Sequence, residues 1–135
     1  MVLHFDGTSW TPVLQQEGLV LNAVWGSSSS NVFTAGFTVE ETPAGDFIVK
    51  GAVLHYDGTA WTPMALPSDA ILDDIWGSSP SDVFAVGDRG TILHFDGTAW
   101  SVVTPTTNEL LGVWGSSPAD VFAVGFGGTI LHGTP

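Results

Sequence analysis

The stretch that decides the fold is Val83-Phe84-Ala85-Val86-Gly87-Asp88-Arg89-Gly90-Thr91-Ile92-Leu93-His94-Phe95-Asp96-Gly97-Thr98-Ala99-Trp100. Val83 to Val86 and Thr91 to Phe95 are short runs of β-branched, aromatic and apolar residues, and turn residues bound both of them. Asp88-Arg89-Gly90 reverses the chain between the two runs. Asp96-Gly97 then supplies a second reversal, a tight hairpin turn in which glycine takes a positive φ. Trp100 opens a further strand. No window of the chain shows sustained helical periodicity, so the expectation is an almost entirely β protein.

Working outward, the same signals return. Leu93 to Trp100 recurs as Leu54 to Trp61 and as Leu3 to Trp10, and Leu131-His132 begins a fourth copy. Val83 to Gly87 recurs as Val32 to Gly36 and as Val121 to Gly125. A third block, Trp76-Gly77-Ser78-Ser79, recurs as Trp25 to Ser28 and as Trp114 to Ser117. The leucines that open the first block lie 51, 39 and 38 residues apart, so the period is 38 to 39 and the first unit carries some twelve extra residues. Repeats of this length mark an array of supersecondary units.

Each unit reads as four strands, A to D. Strand A ends in Val24-Trp25, Ile75-Trp76 or Val113-Trp114. A Ser-rich turn follows, in which Pro80 and Pro118 fix φ and Asp82 and Asp120 are expected to bond the backbone. Strand B is Val-Phe-x-x-Gly. Strand C is the Leu-His-Phe run. Strand D begins at the tryptophan and tolerates proline, which suits an outer edge. A four-stranded antiparallel unit with apolar residues on both faces buries nothing alone, whereas stacking such units around an axis buries both faces. The expected architecture is therefore an all-β propeller with three four-stranded blades per chain, over units of about 14–64, 65–103 and 104–132. Trp10, Trp25, Trp61, Trp76, Trp100 and Trp114 are expected to be packing between blades, with stacking platforms for sugar rings as the alternative.

The phase of the repeat adds a further expectation. Residues 2–13 read as strands C and D, and the last unit offers A, B and C. Two copies joined end to end would close a six-bladed ring as a homodimer. Strand D of the last blade would come from the partner's N-terminal strands, around Ser9 to Val13, and one of the four C strands would be displaced. A homotrimer of nine blades is the alternative, as is a piece of a longer propeller.

The Val83–Trp100 run resembles the blades of Asp-box, or BNR-type, propellers. It looks most like the seven-bladed photosystem II assembly factor subgroup and related bacterial propellers with Trp-Gly-Ser-Ser repeats. The box here is shortened: in the usual form a residue separates Asp from Gly and the Trp comes one position later, whereas Asp6-Gly7, Asp57-Gly58 and Asp96-Gly97 are adjacent pairs. The resemblance implies that Asp6, Asp57 and Asp96 are turn-formers only. The arginine triad and tyrosine nucleophile of sialidase relatives have no counterpart in a chain with Arg89 and Tyr56 as its one arginine and one tyrosine.

Composition narrows the function. The formal net charge is −12, with two cationic side chains against 14 carboxylates, so the surface repels nucleic-acid backbones and anionic headgroups. No apolar run is long enough to span a bilayer. Without cysteine there is neither a disulfide framework nor a thiolate metal site. No catalytic constellation or cofactor motif stands out from the repeat, and the expectation is a non-enzymatic module for binding or scaffolding.

Candidate positions are those that repeat and those that break the repeat. His4, His55, His94 and His132 share one position, which points to shared structural work such as a hydrogen bond across blades, with a symmetric metal ring as the sharper alternative. Asp73 and Asp74 lie in strand A, which lines a propeller channel, where the other units carry Asn22-Ala23 and Leu111-Gly112. They are candidates, with Asn22, for a cation or small polar ligand. The extra residues of the first unit, 38–50, read as a hairpin extension with Pro43-Ala44-Gly45-Asp46 at its tip. Glu40, Glu41 and Asp46 are its candidate binding residues, and a glycan is the alternative partner.

Overall fold

The computed structural model describes residues 1–103 and 106–133. The start of the third repeat unit, at residue 104, lies outside them. Thirteen strands form four antiparallel sheets. A two-stranded hairpin comes first, β1 (Val2–Phe5) and β2 (Trp10–Leu14). The first full blade follows, in the order β3 (Leu19–Ser28), β4 (Asn31–Glu41), β5 (Phe47–Tyr56), β6 (Trp61–Pro63). The second is β7 (Leu72–Ser79), β8 (Asp82–Gly87), β9 (Ile92–Phe95), β10 (Trp100–Val103). The last sheet holds three strands, β11 (Leu110–Ser117), β12 (Asp120–Gly125) and β13 (Thr129–Gly133). Among the described residues no helix is long and apolar enough to cross a membrane.

Each inner strand runs three residues past its tryptophan, so Trp25, Trp76 and Trp114 lie within strands rather than at their ends. Each also carries two bulges at equivalent places. Asn22, Asp73 and Leu111 are the residues skipped by the first bulge. A bulge leaves its extra residue unpaired and re-aims the side chain, which is how Asp73 comes to point out of the ladder.

The core lies between blades. Phe33, Ala35 and Val53 of the first blade pack against Ile75, Val83, Ala85, Leu93, Phe95 and Trp100 of the second. Trp100 is 7% exposed there. The next junction repeats the arrangement less completely, with Val86 facing Leu110, Val113, Val121 and Ala123. The Asp-Gly turns are nearly superimposable: Asp6, Asp57 and Asp96 each accept two backbone N–H bonds at 2.8 and 2.9 Å. Gly7, Gly58 and Gly97 take φ of 99, 95 and 94°, a region closed to most side chains. The accepted N–H bonds hold all three carboxyls below their ordinary acidity range.

Candidate functional site

Three features stand out from the repeat background. The first is the pairing of histidine with the B-strand residue. His94 Nε2 meets Asp82 at 2.7 Å, His132 Nε2 meets Asp120 at 2.8 Å, and His55 Nε2 meets Asn31 at 2.7 Å. Each ring also packs on a phenylalanine of its own blade, Phe84, Phe122 or Phe33. These bonds run between strands B and C of one blade and not across blades, which corrects the expectation for the histidines. They also correct the one for Asp82 and Asp120. Those carboxylates accept from the histidines and from Ser78 and Ser116, where backbone N–H bonds were expected. The bonds from Ser116 and His132 lower the acidity range of Asp120. His4 makes no side-chain hydrogen bond among the described residues, and its strand lacks a B strand beside it.

The second feature is an acidic cluster. Asp73 on the β7 bulge, Asp88 on the turn from β8 to β9, and Glu109 just before β11 place carboxylate oxygens within 4.8 Å of one another. The turn between strands B and C and the loop between strands D and A share one end of a propeller, so chemistry from two blades converges. Burial pushes the Asp73 carboxyl up, and the charges of Asp88, Glu109 and Asp74 push it further. Its Oδ2 is buried without a hydrogen-bond partner among the described residues. Hard carboxylate oxygens of this kind suit a divalent cation or a cationic group.

The other sequence candidates serve different contacts. Asp74 accepts the Val113 N–H at 2.8 Å, a bond from the second blade to the third. Asn22 donates to the Leu72 carbonyl at 2.8 Å, from the first blade to the second. Glu40 and Glu41 stay on the exposed ladder of the extension, opposite Ile48 and Phe47. Asp46 closes its turn, through its carbonyl to the Thr42 N–H and its own N–H to Thr42 Oγ1. They lie on the extension, and the cluster draws its other members from Asp88 and Glu109. Both replace apolar residues of the other units, Phe37 or Phe126 and Val20 or Ile71. The substitution of acid for apolar at repeat positions was the available signal.

The third feature is the state of the two ends. Trp25 lies on Gly77 of the next blade, where a β-carbon would come within 2.7 Å of the indole. Trp76 lies on Gly115 in the same way. Trp114 and Gly26 are the unmatched halves of this contact, and Trp114 is 61% exposed. The outer part of the junction repeats the contrast. Trp100 fills the groove between the first and second blades, and its counterpart Trp10 is 66% exposed beside exposed Leu3 and Phe5. Between the second and third blades an apolar cleft of about 450 Å³ opens, lined by Phe84, Val86, Ile92, Val103, Val121 and Leu131 among others. Gly133 borders it at the position where Phe95 fills the earlier junction.

No family model matches the sequence, and no curated protein matches it. Among solved structures, that of YCF48 bound to D1 peptide is similar, with a TM-score of 0.57 at 17% identity. The match covers 96% of this chain and 56% of that one, so the chain spans just over half of that protein's length. Together with the four-stranded antiparallel sheets, the likeness supports a β-propeller type of fold.

Proposed function

We propose that this chain is a non-enzymatic binding and scaffolding module that acts as an arc of a ring, two copies joining head to tail as six blades. The observation that carries the reading is the pair of unmatched halves. Trp114 at one end and Gly26 at the other are the two sides of a contact that the chain already makes twice, at Trp25–Gly77 and Trp76–Gly115. Open arcs expose apolar faces and strand edges, and a head-to-tail joint that closes on itself removes both. Closed propellers have about four to eight blades, which favours two copies over three. The non-enzymatic reading is supported by the polar inventory: Tyr56 donates to the Gly58 carbonyl at 3.0 Å as a turn contact.

Light scattering tests the assembly. A mass of about 28 kDa, twice the 14.1 kDa of one chain, is expected. A single-chain mass overturns the ring, and a three-chain mass overturns the six-blade count. Gly26→Leu occupies the seat meant for Trp114 and should give single chains with unchanged far-ultraviolet dichroism.

The binding end is the one that gathers Asp73, Asp88 and Glu109. Its charge favours cationic or neutral polar ligands over nucleic acid. YCF48 was solved with a peptide, so a panel of basic and neutral peptides is the first screen. A glycan array separates the lectin alternative.

A further inference from the structure

Resting on the ring reading above, we propose that the joint forms by hairpin exchange. The β1–β2 hairpin of one copy displaces β13 from β12 of the other. Each junction blade then holds β11 and β12 from one chain and β1 and β2 from the next.

Four strands of the C type compete for three full places, and their side chains decide between them. Phe5, Tyr56 and Phe95 share one repeat position, where β13 has Gly133. In the second blade Phe95 packs on Trp100 with ring centroids 5.3 Å apart, and both fill the groove against the first blade. Phe5 and Trp10 already form the same pair, also at 5.3 Å, but in the open. The cleft bordered by Gly133 lacks this pair. Strand β13 supplies the histidine and leucine of a C strand without the aromatic that fills the groove.

The incoming strand also satisfies the polar contacts. In the second blade Phe95 lies opposite Val83, His94 opposite Phe84 and Ile92 opposite Val86. The same register sets Phe5 against Val121, His4 against Phe122 and Val2 against Val124. His4 then reaches Asp120, which the His132 ring holds within one chain. That pair is more open than its neighbour, 46% and 41% exposed against 30% and 22% for His94 and Asp82. The other side of the merged blade carries Val124 and Trp114 to the open face of the first blade. There Val24 is 66% exposed, whereas its counterpart Ile75 is 4% exposed. One event therefore covers both ends. Because β1 and β2 are already paired from Phe5–Trp10 to Val2–Leu14, they dock as a formed unit and the ordering cost is small.

Cysteine pairs report the exchange without background, since the chain has no cysteine. Val2→Cys with Val124→Cys should oxidise to disulfide-linked chains on a non-reducing gel. Val124→Cys with Ile130→Cys, opposite each other within one chain, should stay open in the assembled protein. Removing residues 129–135 should leave the mass in solution unchanged. Assembled protein in which the first pair stays reduced and the second closes overturns the exchange while leaving the ring. So does assembly that is lost on the truncation. A single-chain mass for the intact protein overturns the ring and the exchange with it.

Discussion

Trp100 donates its indole N–H to the thioether sulfur of Met64 at 3.4 Å, across the boundary between the first two blades. The contact fixes the ring's edge while its faces fill the groove lined by Phe33 and Phe95, so Trp100 is both the largest and the most constrained piece of that junction. Its counterpart Trp10 touches Phe5 alone among aromatic neighbours and is mostly solvent-exposed.

The contrast makes a paired prediction. Trp100→Ala should lower unfolding stability by about 3–5 kcal/mol, the range for emptying a buried aromatic site. Trp10→Ala should leave the blade-to-blade contacts within the chain intact and change the mass in solution instead. Urea melts at matched concentration, read beside light scattering, separate the two effects. Equal loss of stability in both variants at a concentration where neither assembles would show that Trp10 is part of the intrachain core.

The repeat made most of the fold legible, because turn residues and apolar runs return at fixed spacing and each is a local signal. What stayed hidden was pairing in space. The histidines were visible as one position, but Asp82 and Asp120 are twelve residues away in sequence, and only the B–C ladder brings them opposite. The acidic cluster was half legible. Asp73 broke the repeat in plain view, whereas Asp88 and Glu109 reach it from a turn and from the next blade. The bulge that re-aims Asp73 leaves no mark in composition.

The extension should be removable. Strands β4 and β5 stay paired out to Glu41 opposite Phe47, so the ladder continues with mostly exposed side chains beyond the blade. Gly36 and Gly51 correspond to Gly87 and Gly90, which puts the natural replacement at Asp-Arg for residues 37–50. One contact is lost, the Val39 N–H to the Gly18 carbonyl at 2.6 Å. The shortened chain should keep its β dichroism and its mass in solution per assembly, with stability within about 1 kcal/mol of the parent, the scale of a hydrogen bond lost at the surface. Collapse of the fold would make the extension part of the core.

Added salt should stabilise the protein. A formal charge of −12 on 135 residues is self-repulsive, and screening acts over about 8 Å at physiological ionic strength. Raising sodium chloride from low to moderate concentration should raise the melting temperature by a few degrees. A flat or falling melting temperature would mean that attractive pairs such as Asp120 with His132 outweigh the repulsion.

Asp73 gives the sharpest test of the cluster, because its sign is opposite to that of the other shifted carboxyls. Burial and then Asp88, Glu109 and Asp74 raise its folded-state value above the ordinary 3.8. In the interval between 3.8 and the raised value the folded chain holds a proton that the unfolded chain has lost, so stability falls as pH rises through that interval. Above it the charged Asp73 costs stability at every pH. Asp73→Asn should therefore melt higher than the parent at pH 7, by about 1–3 °C for a partly exposed group. The gain should shrink as pH falls through the raised value, and below 3.8 it should vanish. Asp6, Asp57, Asp96 and Asp120 have lowered values. Their stabilisation is present above the ordinary value and is lost as pH falls through the lowered ones, so both proteins weaken in acid. The difference between parent and variant isolates Asp73 from that common decline. A variant that melts lower than the parent at pH 7 would mean that the Asp73 carboxylate is held by an attractive partner, and a bound cation would then be the first thing to look for by melting in the presence of a chelator.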